Sequence, residues 1–166
     1  RAIVRRRVSA GADCVKVFAA GSLRDGGCAT FGLAELEAIC GEASALGIRS
    51  VIHAHDDESV RNATLAGCTS VEHATGASRG TLELMAERGT YFDPNVGLVI
   101  QTYLAERDRF AGVGNFTPDG FRAMEETLPR YLDLFREAVQ VPGLRIVMGT
   151  DAPAGGHGRN AEELVV

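Results

Sequence analysis

Five strand-length apolar runs, each separated from the next by a longer stretch of helical spacing, constrain the fold of this chain more than any other feature. The runs are residues 13–18 (DCVKVF), 50–55 (SVIHAH), 69–73 (TSVEH), 90–94 (TYFDP) and 145–151 (RIVMGTD). Most are rich in β-branched or aromatic side chains, which suit a pleated surface. Between the first two, Leu33, Leu36, Ile39 or Cys40, Ala43 and Leu46 recur at helical spacing, and Gly47 stands where a helix ends. Residues 58–65 make a shorter helix ended by Gly67, and Leu82, Met85 and Ala86 repeat the pattern up to Gly89. The fourth connection, 97–142, holds helical patterns at 98–110 and 118–141 around a loop at 112–117, an insertion that would cover one end of the sheet. Strand and helix in alternation read as right-handed βαβ units that build a parallel sheet, so the fold class is α/β. No shift in composition marks a second domain.

A chain of 166 residues with 45% apolar and 23% charged residues can pack one globular core, which excludes disorder as the default. The net charge of −5, with no basic run beyond Arg5, Arg6 and Arg7, offers no footprint for nucleic acid or an anionic membrane. No apolar stretch is long enough to span a bilayer, and residues 1–7 lack the apolar centre of a secretory signal. The expected location is cytoplasmic, although a leader ahead of Arg1 in a longer parent would change it. The chain opens without Met on a basic stretch suited to the end of a helix, which points to an incomplete sequence. Cys14, Cys28, Cys40 and Cys68 form no Cys-Xaa-Xaa-Cys pair, so reduced, partly buried thiols are expected.

The chemistry concentrates at the strand ends. By period-two alternation Lys16 shares a face with Cys14 and Phe18, inside an apolar run where burial would disfavour the ammonium form and free the amine to react. A lysine that snorkels out at a strand end satisfies the same pattern. In the second run Val51, His53 and His55 fall on one face, with both imidazoles toward the carboxyl end; His73 ends the third run and Asp151 the fifth. One histidine in such a place is commonly a hydrogen-bonded structural residue. Four of five strands finishing in metal-competent or acid/base groups is a joint pattern, because parallel α/β barrels build their sites from several strand ends at once.

Residues 11–18 (GADCVKVF), 51–55 (VIHAH) with Ala66 and Gly67, 71–74 (VEHA) and 148–152 (MGTDA) resemble the imidazolonepropionase and prolidase-related branch of the amidohydrolase superfamily. The likeness runs from Gly11 to the end. It implies a (β/α)8 TIM barrel of which this chain holds about strands four to eight, so that residues 1–166 form the C-terminal part of a barrel domain. It also implies one or two divalent ions, zinc first. Position by position, Lys16 matches a carbamylated lysine that bridges two metals, His53 and His73 match ligands on the next two strands, and Asp151 matches a ligand that is also the general base. His55, one pleat nearer the mouth, is expected to contact the substrate or a tetrahedral oxyanion. His157, in the glycine-rich loop after the last strand, is a weaker substrate contact, and a mobile loop histidine explains it as well.

The implied reaction is hydrolysis of an amide or related C–N bond in a small molecule, with N-acyl amino acids or dipeptides preferred and cyclic amides second. Asp56 stands where deaminases of this fold carry Glu, which argues against deamination. The family's strand-one His-Xaa-His pair has no counterpart, and a whole barrel needs about 250 residues, so the chain alone should be inactive or bind metal poorly. The glycines after residues 13–18 lack the Gly-Lys-Ser/Thr ending of a phosphate loop and take no nucleotide role. Two rivals remain: a metal-free lyase or aldolase using Lys16 as a Schiff base, and a non-catalytic fragment that forms a homo-oligomer through its open sheet edges.

Overall fold

Side chains alternate across a strand, so the position of the apolar layer sets the register of every pairing. In the computed structural model, which describes residues 1–165, β1 (Cys14–Phe18), β2 (Arg49–Asp56), β3 (Ser70–Gly76), β4 (Tyr91–Asp93) and β5 (Arg145–Ile146) form one sheet in sequence order. Every pairing is parallel. Val17, Ile52, Val71, Phe92 and Ile146 stand level across the five strands. The first four are buried and Ile146 packs against them. Burying each such side chain contributes roughly 1.5–3 kcal/mol, and a slip of one residue would turn the whole row to the other face.

Helices α2 (Leu33–Ala45), α3 (Asp57–Leu65) and α4 (Arg79–Arg88) cover that row with Leu36, Val60, Ala63, Leu82 and Met85. Their starts are fixed by side chains that satisfy the first free N–H groups. The Gly32 N–H, at the start of α2, donates to Glu35, Asp56 accepts from the Ser59 N–H, and Ser78 accepts from the Thr81 N–H. The basic stretch at the start is helix α1 (Ala2–Ser9), tied to α2 by the Arg5–Glu42 ion pair at 2.5 Å. In the long connection, α5 (Val99–Ala105), α6 (Arg107–Phe110) and α7 (Pro118–Ala138) match the two expected helical stretches. Helix α7 packs on α5, on β3 and on a 3-10 turn at Leu23–Asp25, which places it over the carboxyl end of the sheet. Among the described residues no helix is long and apolar enough to cross a membrane.

The opposite face is open at β1 in this chain. Cys14, Lys16 and Phe18 are exposed there, so Lys16 is not the buried amine that its apolar neighbours suggest. A strand is apolar on its helix side by packing, and its other side takes whatever the site requires. The last run also departs from expectation. Pairing stops at Ile146, because β4 offers only three residues before Pro94, which has no N–H to give. Residues 147–151 continue as irregular chain, pinned by the Val147 N–H to the Phe92 carbonyl and by the Gly149 N–H to Asp93.

The thiol expectation is overturned for two of the four cysteines. Cys40 on α2 and Cys68 ahead of β3 form a buried disulfide with Cα atoms 5.0 Å apart, while Cys14 and Cys28 are free and exposed. Sequence spacing hid the pair, because a helix and a loop 28 residues apart meet only after α3 has packed. Thiol titration of the unfolded, unreduced chain should therefore detect Cys14 and Cys28 only. Reduction should lower unfolding stability by about 3.5 kcal/mol, the scale for a loop of this size, as read by denaturant titration. Four reactive thiols would contradict the pairing.

Candidate active site

The carboxyl end of the sheet opens into a cavity of about 320 Å3. Lys16, His53, His55, His73 and Asp151 all line it. His53 and His55 reach it by plain alternation along β2.

His73 does not follow alternation. Its register partner is Ala54, whose side chain faces the helices, whereas Glu72 is the residue level with His53. His73 and Ala74 both adopt left-handed backbone, with φ of 69° and 51°, and the β2–β3 register shifts just beyond them. This irregularity turns the imidazole onto the site. Non-glycine residues in that conformation carry a local cost of about 1–3 kcal/mol each, a form of strain that concentrates at functional sites. Asp151 is also left-handed, with φ of 42°.

The result is a cluster of three imidazoles. Ring centres lie 4.5 Å apart for His53 and His55, 4.7 Å for His53 and His73, and 5.0 Å for His55 and His73. His55 is buried, its Nδ1 3.1 Å from the Thr75 hydroxyl, and Gly27 lies so close that a Cβ there would come within 2.9 Å of the His55 Cβ. The glycine loop after β1 is thus partly a packing device. Burial pushes the His55 pKa down to about 3 and holds His73 well below 6.5, and it lowers His53, with Lys16 adding to the effect there. All three rings are neutral nitrogen donors near pH 7.

The acids shift the other way. Desolvation raises the Asp151 pKa, with Asp93 adding to it against the pull of Lys16 and Arg24, although Asp151 remains exposed on its outer side. Glu72 is pushed up to about 7, first by burial and further by Asp93, with the Ser70 hydroxyl donating at 2.8 Å in opposition. Asp93 accepts the Gly149 N–H at 2.6 Å and so fixes the segment that leads to Asp151.

Several lining residues carry no strand-end signature: Arg24 in the turn after β1, Tyr103 on α5, and Met124 and Tyr131 on α7. The Tyr131 hydroxyl is buried without a hydrogen-bond partner among the described residues. These groups come from connections, where hydrophobic periodicity says nothing about what a polar tip will meet. His157 is exposed and outside the residues that line the cavity, so the substrate contact expected of it finds no support in this geometry.

A parallel α/β sheet that gathers imidazoles, an amine and a carboxylate at its carboxyl end has the arrangement in which proteins of this fold class build their sites from strand termini. The chain belongs to the amidohydrolase family, whose model matches residues 1–166. It is 30% identical over 160 residues to an ochratoxinase of Aspergillus niger, covering 94% of this chain and 32% of that protein. Among solved structures it is similar to a Xaa-Pro dipeptidase with methionine bound in the active site, at 32% identity and a TM-score of 0.80, covering 99% of this chain and 40% of that one. The Aspergillus niger ochratoxinase structure matches at 27% identity and a TM-score of 0.80, covering 98% and 36%. The chain thus spans about a third of the length of the curated relatives it matches.

The neutral imidazoles predict a pH dependence with a definite sign. Unfolded His55 takes a proton near 6.5 but the folded ring resists until about pH 3, so stability is lost as pH falls from 6.5 toward 3. Each fully resisting histidine contributes a slope of up to about 1.4 kcal/mol per pH unit. Glu72 opposes this between 4.5 and about 7, because there the folded state holds the extra proton. Denaturant titrations across pH 4–7 should therefore show a shallower acid loss in His55→Asn and a steeper one in Glu72→Gln, relative to the unsubstituted chain. Identical slopes in all three proteins would contradict the burial of these groups.

Proposed function

We propose that this chain is the C-terminal part of a (β/α)8 barrel, about strands four to eight, in a metal-dependent hydrolase that cleaves amide bonds of N-acyl amino acids or dipeptides. The observation that carries the reading is that Lys16, His53, His73 and Asp151, distant in sequence, line one cavity. The names ochratoxinase and Xaa-Pro dipeptidase, borne by similar proteins, support hydrolysis and a dipeptide-like substrate.

The donor set fits a zinc-like ion. A Zn–N distance of about 2.0–2.1 Å puts a ligand ring's centre roughly 3 Å from the metal, so two tetrahedral imidazoles have centres roughly 5 Å apart. The 4.7 Å between the His53 and His73 ring centres is close to that spacing. Among the described residues no three His, Cys, Asp or Glu side chains already converge on one centre, so binding requires the rings to turn. Lys16 as its carbamate, His53, His73 and Asp151 would hold one or two ions. When bound, such an ion supplies Lewis acidity to the scissile carbonyl and to water.

The remaining work falls to the chain. Asp151, its pKa raised, takes the proton of the attacking water and returns it to the leaving nitrogen as the C–O bond forms and the C–N bond breaks. His55, uncharged and engaged through Nδ1 by Thr75, offers its other ring nitrogen to the substrate oxygen. Strands β1 and β5, at the two edges of the sheet, are where the remaining strands of the barrel would pair; copies would associate through them only in the alternative of a non-catalytic fragment. A cytoplasmic location sits against the buried Cys40–Cys68 bond, since persistent disulfides belong to oxidising compartments.

Turnover is expected from a full-length parent and not from this chain alone. In that parent, chelation should abolish hydrolysis of N-acyl amino acids or dipeptides, and added zinc should restore it. Asp151→Asn should lower kcat by about 10²–10⁴-fold, the usual weight of a positioned acid/base group. Lys16→Ala or His73→Ala should release metal, measured by atomic absorption. Full activity after exhaustive chelation, or full metal content in both variants, would sink the reading.

A further inference from the structure

One charged group on the cavity wall has no task in the hydrolytic scheme. Arg24 sits in the turn Leu23–Asp25, and its guanidinium carbon stands 4.0 Å from the centre of the Phe116 ring and 5.4 Å from that of Tyr103. Its Nε donates to the Asn115 side-chain oxygen at 2.7 Å, and Asn115 in turn donates to Asp25 at 2.7 Å. The loop at Asn115 is held close by Gly120, where a Cβ would lie 2.5 Å from the Asn115 carbonyl oxygen and 3.2 Å from the Arg24 Cβ. The guanidinium is therefore fixed on one edge and stacked on its face. No carboxylate lies within ion-pair distance of it among the described residues.

A planar fork held by Nε and stacked on aromatic rings keeps its two terminal nitrogens for a second partner, the geometry in which arginine recognises a carboxylate. We infer that Arg24 reads the free carboxylate of the substrate: the cavity takes an N-acyl amino acid with its acid group on Arg24 and its scissile carbonyl toward Lys16 and the histidines. Tyr103, on the same wall and kept protonated by burial, supplies a hydroxyl donor beside it. Val99, Ile100 and Met124 give the apolar flank for the substrate side chain. Arg24 acts by binding and selects the substrate. It is assigned no proton transfer.

The assignment rests on the amide-hydrolase reading only for the position of the scissile bond, so it is tested by binding without turnover. Calorimetric titration of the metal-stripped full-length protein should show N-acetyl-L-leucine binding at least tenfold more tightly than N-acetyl-L-leucinamide, which has the same shape and no charge. Arg24→Gln should erase that preference while leaving the affinity for the amide within about twofold. If Arg24→Gln does not fold, Arg24→Lys carries the test: the charge stays but the fork is lost, and the preference should fall at least threefold. Failure of the unsubstituted protein to prefer the acid, or an unchanged preference in the folded variant, overturns the assignment. If the acid binds through Arg24 but is never hydrolysed once metal is restored, the hydrolase reading fails and the carboxylate site stands.

Discussion

Register is the constraint on which the rest of this structure depends. The row Val17, Ile52, Val71, Phe92 and Ile146 can be buried under α2, α3 and α4 in only one alignment of the five strands. That alignment sets Lys16 opposite Val51 and Phe18 opposite His53, so that Lys16, His53 and His55 open on one cavity at the carboxyl end of the sheet. The site is built from side chains the packing does not use. Where packing and site disagree, at His73 and Ala74, the backbone gives way: two residues go left-handed so that Val71 stays in the core while His73 faces the cavity.

Burial then sets the charge states. Desolvation strips the proton affinity from three clustered imidazoles, and the same effect raises the proton affinity of Asp151 and Glu72. One physical cause therefore yields neutral nitrogen donors and, in Asp151, an acid of raised proton affinity within a single cavity, the combination a metal-assisted hydrolase of the proposed kind requires. Arg24 lines the same cavity, its guanidinium stacked on aromatic rings that leave its terminal nitrogens open.

Much of this was legible in the sequence because it follows from periodicity. The strand and helix alternation, the helix-ending glycines, and the shared face of Val51, His53 and His55 all obey periods of two or 3.6. His73 was legible as the end of its run, but the turn that brings it to the site was not, since alternation alone selects Glu72 as the neighbour of His53. Asp151 was placed on the right side of the molecule for the wrong local reason, because the strand meant to carry it ends at Ile146. Arg24, Tyr103 and Tyr131 were missed because they come from connections whose paths depend on tertiary packing. The Cys40–Cys68 bond was missed for the same reason. Of the two readings of Lys16 the exposed one holds, because a strand among apolar residues has two faces and Lys16 lies on the one left open at β1.

Anomalous diffraction at the zinc edge, from crystals of the full-length parent grown with zinc, tests the proposed shared-ion centre most directly. The expected map has a peak within about 2.0–2.2 Å of nitrogen or oxygen atoms from His53, His73 and Asp151, with continuous density to the Lys16 side chain. A peak elsewhere, or ligation that leaves out His73 and Asp151, would contradict it.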